Sequence, residues 1–233
     1  KGIEEYALLQ ALTNLTKIND IGNCFNIIHS DTTHEPFNYN NDFKPSLEIR
    51  DVPKEDLELY GSDFSARSYY STVASFRELA NFFKFLKENN IYDNTKIIIT
   101  SDHSGYFNPS IFNEKGMEEF KVFNAMMFVK DLNSRGEIIS NDAFTTIADI
   151  PFLATKHLNK AKNPFTKKII TNDYKTNGVD IIISKHSDPK GHFKTRIDFD
   201  YYYYVKDNIF DINNWKKFEI NWRTKETKEI ELK

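Results

Sequence analysis

The stretch 97-IIITSDHSGYFNP-109 runs four β-favouring residues straight into Asp102 and His103, then Ser-Gly. A carboxylate oxygen beside an imidazole nitrogen is a donor pair that suits Zn²⁺ or Mn²⁺. Neighbouring side chains on a regular strand point to opposite faces, so both can reach one ion only where the chain leaves strand geometry. The Ser-Gly that follows supplies that freedom. The competing reading is that Asp102 caps a turn and His103 is an ordinary polar residue, and the dipeptide taken alone favours the turn. His34, in 31-DTTHEPF-37, is the second candidate. A histidine in a polar loop can serve as a general acid or a substrate ligand, with Glu35 orienting it or binding. The alternative is a loop histidine beside a proline turn.

Other residues are weaker. His186 and His192 lie in 185-KHSDPKGH-192, where Lys185, Lys190 and Lys194 give either a phosphate- or sulfate-binding loop or an exposed basic one. His29 reads as structural at the end of a strand. His157 suits a helix C-terminus, and Cys24 a small buried hydrophobe. No Gly-rich phosphate loop and no G-x-S-x-G elbow is present.

The elements that must position these residues follow from periodicity. Residues 3–17 and 65–89 space apolar residues at helical intervals, the second through Val73, Phe76, Leu79, Ala80, Phe83 and Leu86. A short strand ending near His29 is expected within 21–31 and another at 96–101, with loops at 31–45 and 102–118 and an apolar run at 122–129. A helix is expected over 140–158, kinked or restarted at Pro151. Alternating strands and helices predict an α/β fold with a mostly parallel sheet flanked by helices. Ligands in such sheets sit beyond the carboxyl ends of the strands, where both His34 and the Asp102–His103 pair fall. From about residue 163 the pattern changes to loops and short strands, and the tyrosine run in 193–207 suits an antiparallel strand with both faces partly covered. The expected division is an α/β domain at 1–160 and a small antiparallel C-terminal subdomain at 161–233.

Composition narrows the class. Hydrophobic residues at 39% and charged residues at 28% are ordinary for a globular chain. A net charge of −3 argues against a general nucleic-acid binder. One cysteine rules out an internal disulfide. No apolar run approaches the roughly 20 residues that span a bilayer. The first residues, KGIEEYALLQ, lack a Met and read as the middle of a helix, so the expectation is a fragment of a longer protein.

TTHEPF, then TSDHSGY about 70 residues later, then AMMFVKDLNSRGEIISNDAFTTIADIPFLA, together resemble the sulfatase family of the alkaline-phosphatase superfamily. The likeness extends to the tail, from KNPFT through DYYYYVKD to NNWKKFEI. The branch it looks most like is the membrane-anchored bacterial one that includes phosphoethanolamine transferases and lipoteichoic-acid synthases. The resemblance implies a partial alkaline-phosphatase-like fold. It implies Asp102 and His103 as ligands of a divalent metal, Zn²⁺ or Mn²⁺, and His34 as the histidine near the reacting group, with Glu35 and His192 as substrate contacts. The glycine that usually follows D-H is Ser104 here. The family's hydroxyl or formylglycine nucleophile comes from ahead of the T-H-E-P region, so the chain is expected to be inactive alone. The implied substrate is an envelope lipid or glycan, and the implied location is extracytoplasmic, anchored through a region N-terminal to Lys1. Expected partners are that N-terminal remainder of its own chain and, through an exposed sheet edge, a second copy. Sulfate-ester hydrolysis and a degenerate anion-binding module are the alternatives.

Overall fold

The computed structural model describes residues 2–18, 22–105, 116–182, 201–221 and 223–232. It divides into two compact units, Lys1–Lys96 with Asp131–Ser134, and Ile97–Lys130 with Arg135–Lys233.

In the first unit, helix α1 (Gly2–Leu15) buries Tyr6, Leu9 and Leu12. It packs on the long helix α3 (Asp63–Glu88). Between them in sequence lie the short antiparallel pair β1 (Tyr39–Asn40) and β2 (Lys44–Pro45) and helix α2 (Lys54–Tyr60). Ser62 caps α3 by accepting a hydrogen bond from the Ser65 amide. The helix ends at Asn89 and Asn90, and Asn90 takes the left-handed φ of 59° that asparagine tolerates. The expected stripe on α3 is not its main buried face. Val73, Phe76, Leu79 and Phe83 are half-buried and Ala80 is exposed, while Ala66, Ser68, Tyr70, Ser71, Ala74, Ser75 and Leu86 are buried. The reason is steric. Tyr6 from α1 and Tyr39 from β1 fill the space against α3, so small residues must face them. The serine hydroxyls are satisfied within the helix, Ser71 donating to Ser68 O and Ser75 to Ser71 O, both at 2.8 Å.

Arg67 ties this unit together. Its guanidinium meets Asp63 with two bonds of 2.8 and 2.9 Å and donates to the carbonyls of Tyr39 and Arg50. Phenols end the core at carboxylates: Tyr6 donates to Glu78 at 2.6 Å, and Tyr70 donates to Asp56.

The second unit holds β3 (Ile97–Thr100) paired with β4 (Met127–Lys130), and a four-stranded sheet in the order β5–β6–β7–β8. Its strands are Val179–Ile182, Tyr201–Val205, Trp215–Asn221 and Glu226–Ile230. The tyrosine strand β6 buries Tyr203 and Val205 and half-covers the rest, as expected for a strand covered on both faces. A 3₁₀ turn, Glu118–Phe123, lays Phe120 against Tyr203 and Trp215, with ring centroids 5.3 and 4.2 Å apart. Gly178 enters β5 at φ +86°, and a Cβ there would overlap the Tyr204 ring.

Several expectations are corrected. The fold is mixed α/β, but every strand pairing among the described residues is antiparallel, so the mostly parallel sheet is not seen there. The cause is the partner of β3: it pairs with the strand that follows it, β4, whereas a parallel sheet needs a helical crossover between paired strands. Residues 22–30 form no ladder, and Phe25 and Ile27 are exposed. Cys24 is exposed with them. β-favouring residues make a strand only where a neighbour takes up their amides and carbonyls. The helix expected over 140–158 shrinks to a 3₁₀ turn, Ile147–Asp149, and α4 (Ile150–Thr155). Its cap is Thr146, with Asp149 closing a capping box, because Asn141 accepts from the Ala143 amide and keeps the earlier residues in a turn. Pro151 falls in the first turn of α4, where a missing amide costs nothing, so there is no kink.

Two measurements test this core. Phe120→Ala should cost about 3–5 kcal/mol by removing a fully buried ring, read as a lowered urea midpoint in tryptophan fluorescence, since Phe120 lies on Trp215. Burial pushes the Tyr39 phenol up to about 12, and Tyr6 and Tyr70 upward too, by burial first and then by bonds to Glu78 and Asp56. Unfolded phenols ionise near 10, so above that pH the unfolded chain binds fewer protons than the folded one. Stability should therefore be intact at neutral pH and fall between pH about 10 and about 12, visible as loss of far-ultraviolet circular dichroism.

Candidate active site

Asp102 and His103 follow β3 immediately, in a bend that two backbone ties bracket. The Ser101 amide donates to Met126 O at 3.1 Å, and the Ser104 amide to Val122 O at 2.9 Å. The Ser101 hydroxyl oxygen accepts from the Met126 amide at 2.9 Å. Strand geometry ends at Thr100, so the two side chains no longer diverge. Ser104 does not take a positive φ, which explains why serine can stand where the resemblance expects glycine.

Local bonds then aim the donors. Asp102 Oδ1 accepts from the His103 amide at 2.9 Å, leaving Oδ2 for other work. His103 Nδ1 lies 2.7 Å from Ser104 O. A carbonyl can only accept, so in the neutral ring Nδ1 carries the proton and Nε2 the lone pair. Nε2 stands 3.7 Å from Asp102 Oδ2, and both side chains are open to solvent, 55% and 87% exposed. Two ligand bonds of about 2.1 Å on one ion, at tetrahedral to trigonal angles, place their donor atoms about 3.4–3.6 Å apart, within about 0.1 Å of this separation. The chemistry and spacing of this pair therefore fit a shared Zn²⁺ or Mn²⁺, and the Ser104 carbonyl is the outer-shell partner that such a histidine ligand needs. Among the described residues, no group of three or more His, Cys, Asp or Glu side chains is gathered to hold a metal.

His34 belongs to the first unit, in a turn closed by its amide on Asp31 O at 3.0 Å. The turn is anchored by Thr32, which is 1% exposed and shares a 2.6 Å hydrogen bond with Ser30. His34 Nδ1 lies 2.8 Å from Glu35 O and 3.5 Å from Glu35 Oε2. The same logic as for His103 puts the proton on Nδ1 and leaves Nε2 free in an exposed ring. His29 Nε2 stands 3.5 Å from Asp31 Oδ1 at the surface. His186 and His192 lie outside the described residues.

Sequence reasoning singled out Asp102, His103 and His34 but not the groups that hold them. Ser101, whose hydroxyl and amide both engage Met126, and the carbonyl of Val122 were not singled out. Thr32 was not either. The available signal was a hydroxyl residue immediately before or within a polar bend that follows an apolar run.

A family model described as Sulfatase matches residues 5–166, which is 162 of the 233 residues and contains His34, Asp102 and His103. Residues 167–233, the rest of the tail, lie outside that match. No curated protein and no solved structure matches the chain.

The tautomers can be read directly. In long-range ¹⁵N–¹H spectra of the neutral rings, His103 and His34 should both show a protonated Nδ1 and an unprotonated Nε2, the less common form in water. A protonated Nε2 on His103 would remove the lone pair on which ligation depends.

Proposed function

The chain belongs to the sulfatase family, and on that premise we propose that it carries part of the metal site and the proton-transfer histidine of an enzyme acting on phosphate or sulfate esters. The finer reading is a phosphoethanolamine or phosphoglycerol transferase working on envelope lipids or glycans outside the cytoplasm, anchored to the membrane by a segment N-terminal to Lys1. The observation that supports this best is the Asp102–His103 pair, with Oδ2 and Nε2 left free 3.7 Å apart.

Asp102 Oδ2 and His103 Nε2 would hold a Zn²⁺ or Mn²⁺ ion. Such an ion, when bound, lowers the pKa of a hydroxyl nucleophile and neutralises charge on the ester. Asp102 Oδ1 stays on the His103 amide and fixes the carboxylate plane. The Ser104 carbonyl holds the imidazole in the tautomer that leaves Nε2 free. His34 acts at Nε2: protonated, it gives a proton to the leaving alkoxide, and neutral, it takes one from the acceptor hydroxyl. Its Nδ1–H remains on Glu35 O throughout, so the ring does not turn away as the proton moves. Glu35 is the nearest candidate for a substrate contact, and His192 is proposed as a second. The hydroxyl nucleophile is proposed to come from residues ahead of Lys1.

The test uses the intact protein. Asp102→Ala and His103→Ala should each remove metal, measured by elemental analysis, and reduce turnover by about 10²-fold or more. His34→Ala should reduce turnover by roughly 10²–10⁴-fold while leaving metal content unchanged. Wild-type turnover in His103→Ala sinks the ligand assignment. Release of sulfate from aryl sulfates without turnover of phosphodiesters replaces the transferase reading with a sulfatase one.

A further inference from the structure

Five lysines and no acidic residue fall within residues 150–172. The rest of the chain then holds 26 basic against 34 acidic residues, a net charge of −8, so this run opposes the sign of the molecule. It contains a tight hairpin. Lys162 faces Ile169 in an antiparallel bridge. The Asn163 amide donates to Lys168 O and the Ile170 amide to Ala161 O, both at 2.9 Å.

The tip is fixed by one side chain. Asn163 Oδ1 accepts from the amides of Phe165 and Thr166 at 2.9 and 3.0 Å. The Lys167 amide returns to Asn163 O at 2.9 Å, with Lys167 in the left-handed region at φ 61°. On this tip Phe165 is 90% exposed. Lys160, Lys162, Lys167 and Lys168 are exposed around it, and none meets a carboxylate among the described residues. A tight turn thus holds a phenyl ring in water on a hairpin that carries four exposed lysines with no carboxylate partner among the described residues.

We propose that the hairpin at 161–170 docks on an anionic lipid bilayer, with Phe165 entering the boundary between headgroups and acyl chains and Lys160, Lys162, Lys167 and Lys168 resting on headgroup phosphates. The charge selects an anionic partner. The ring selects one with an apolar phase next to its charges, which a bilayer has and a soluble polyanion lacks. Lysine stems lie along the acyl boundary while their ammonium groups stay at the phosphates. The proposal concerns a surface distinct from the Asp102–His103 pair and does not depend on which ester the family site takes.

The test is co-sedimentation of the 233-residue protein with vesicles. Vesicles rich in phosphatidylglycerol should bind it and lose it as salt is raised, and vesicles of phosphatidylcholine alone should not bind. Lys167→Gln with Lys168→Gln should weaken binding about 25-fold, roughly fivefold for each lysine. Phe165→Ala should weaken it about tenfold while leaving the salt dependence unchanged. All these side chains are exposed, so the variants should keep the wild-type circular dichroism. Absence of binding to anionic vesicles overturns the proposal, and so does equal binding to neutral ones. Phe165→Ala bound as tightly as wild type, with soluble polyphosphate competing equally against both, assigns the surface to polyanions instead.

Discussion

The short ladder between β3 and β4 carries a burden larger than its four residue pairs. It closes over the 26 residues from Ser101 to Met126, and the entropy of that closure must be offset by contacts inside the loop. Those contacts come from the C-terminal sheet. Met117 and Phe120 are buried among Tyr203, Val205 and Trp215, and Glu119 accepts a 2.7 Å bond from the Tyr203 hydroxyl. With 117–123 held this way, the carbonyls of Val122 and Met126 stand ready for the amides of Ser104 and Ser101. The bend that presents Asp102 and His103 is thus suspended from an aromatic core built by the tail of the chain, beyond the stretch that the family model matches.

This arrangement separates rigidity from burial. The donor atoms of Asp102 and His103 remain in solvent, where a lone carboxylate and imidazole carry little desolvation cost. All the constraint is placed in the backbone and in the atoms that each side chain does not offer, Asp102 Oδ1 and His103 Nδ1. His34 follows the same scheme in the other unit, with buried Thr32 anchoring the turn and the neighbouring carbonyl fixing the ring. A site on a loop becomes precise when its outer partners are set by regular elements.

The first unit shows how an aromatic-rich chain satisfies its phenol hydroxyls at the edge of the core. Tyr6, Tyr39 and Tyr70 bury their rings and end at Glu78, Gly2 O and Asp56. Each phenol carries a large apolar area inward and a hydroxyl to an acceptor at the edge. The acceptors are mostly carboxylates, so the same contacts that satisfy the hydroxyls also resist their ionisation. Arg67 plays the complementary part, joining α3 to the carbonyls of Tyr39 and Arg50 in the connecting segments.

By itself the sequence determined what short-range periodicity and residue chemistry can encode. Helices α1 and α3 were legible from apolar spacing, and the C-terminal end of α3 from Asn89 and Asn90. The tyrosine run announced a strand covered on both faces. Asp102, His103 and His34 were legible as donors placed in polar bends. Tertiary structure decided everything that depends on a distant partner. It paired β3 with a strand that follows 26 residues later, in the antiparallel sense, because ladder direction is a property of two segments and not of one. It left 22–30 without a ladder despite its β-favouring residues. It turned α3 so that Ala66 and Ala74, not Val73 and Phe76, pack with Tyr6 and Tyr39, because the volume of the opposing ring sets which side fits. Above all it chose the imidazole nitrogen that stays free, since that choice lies with the Ser104 carbonyl and with the Val122 oxygen that holds Ser104 in place.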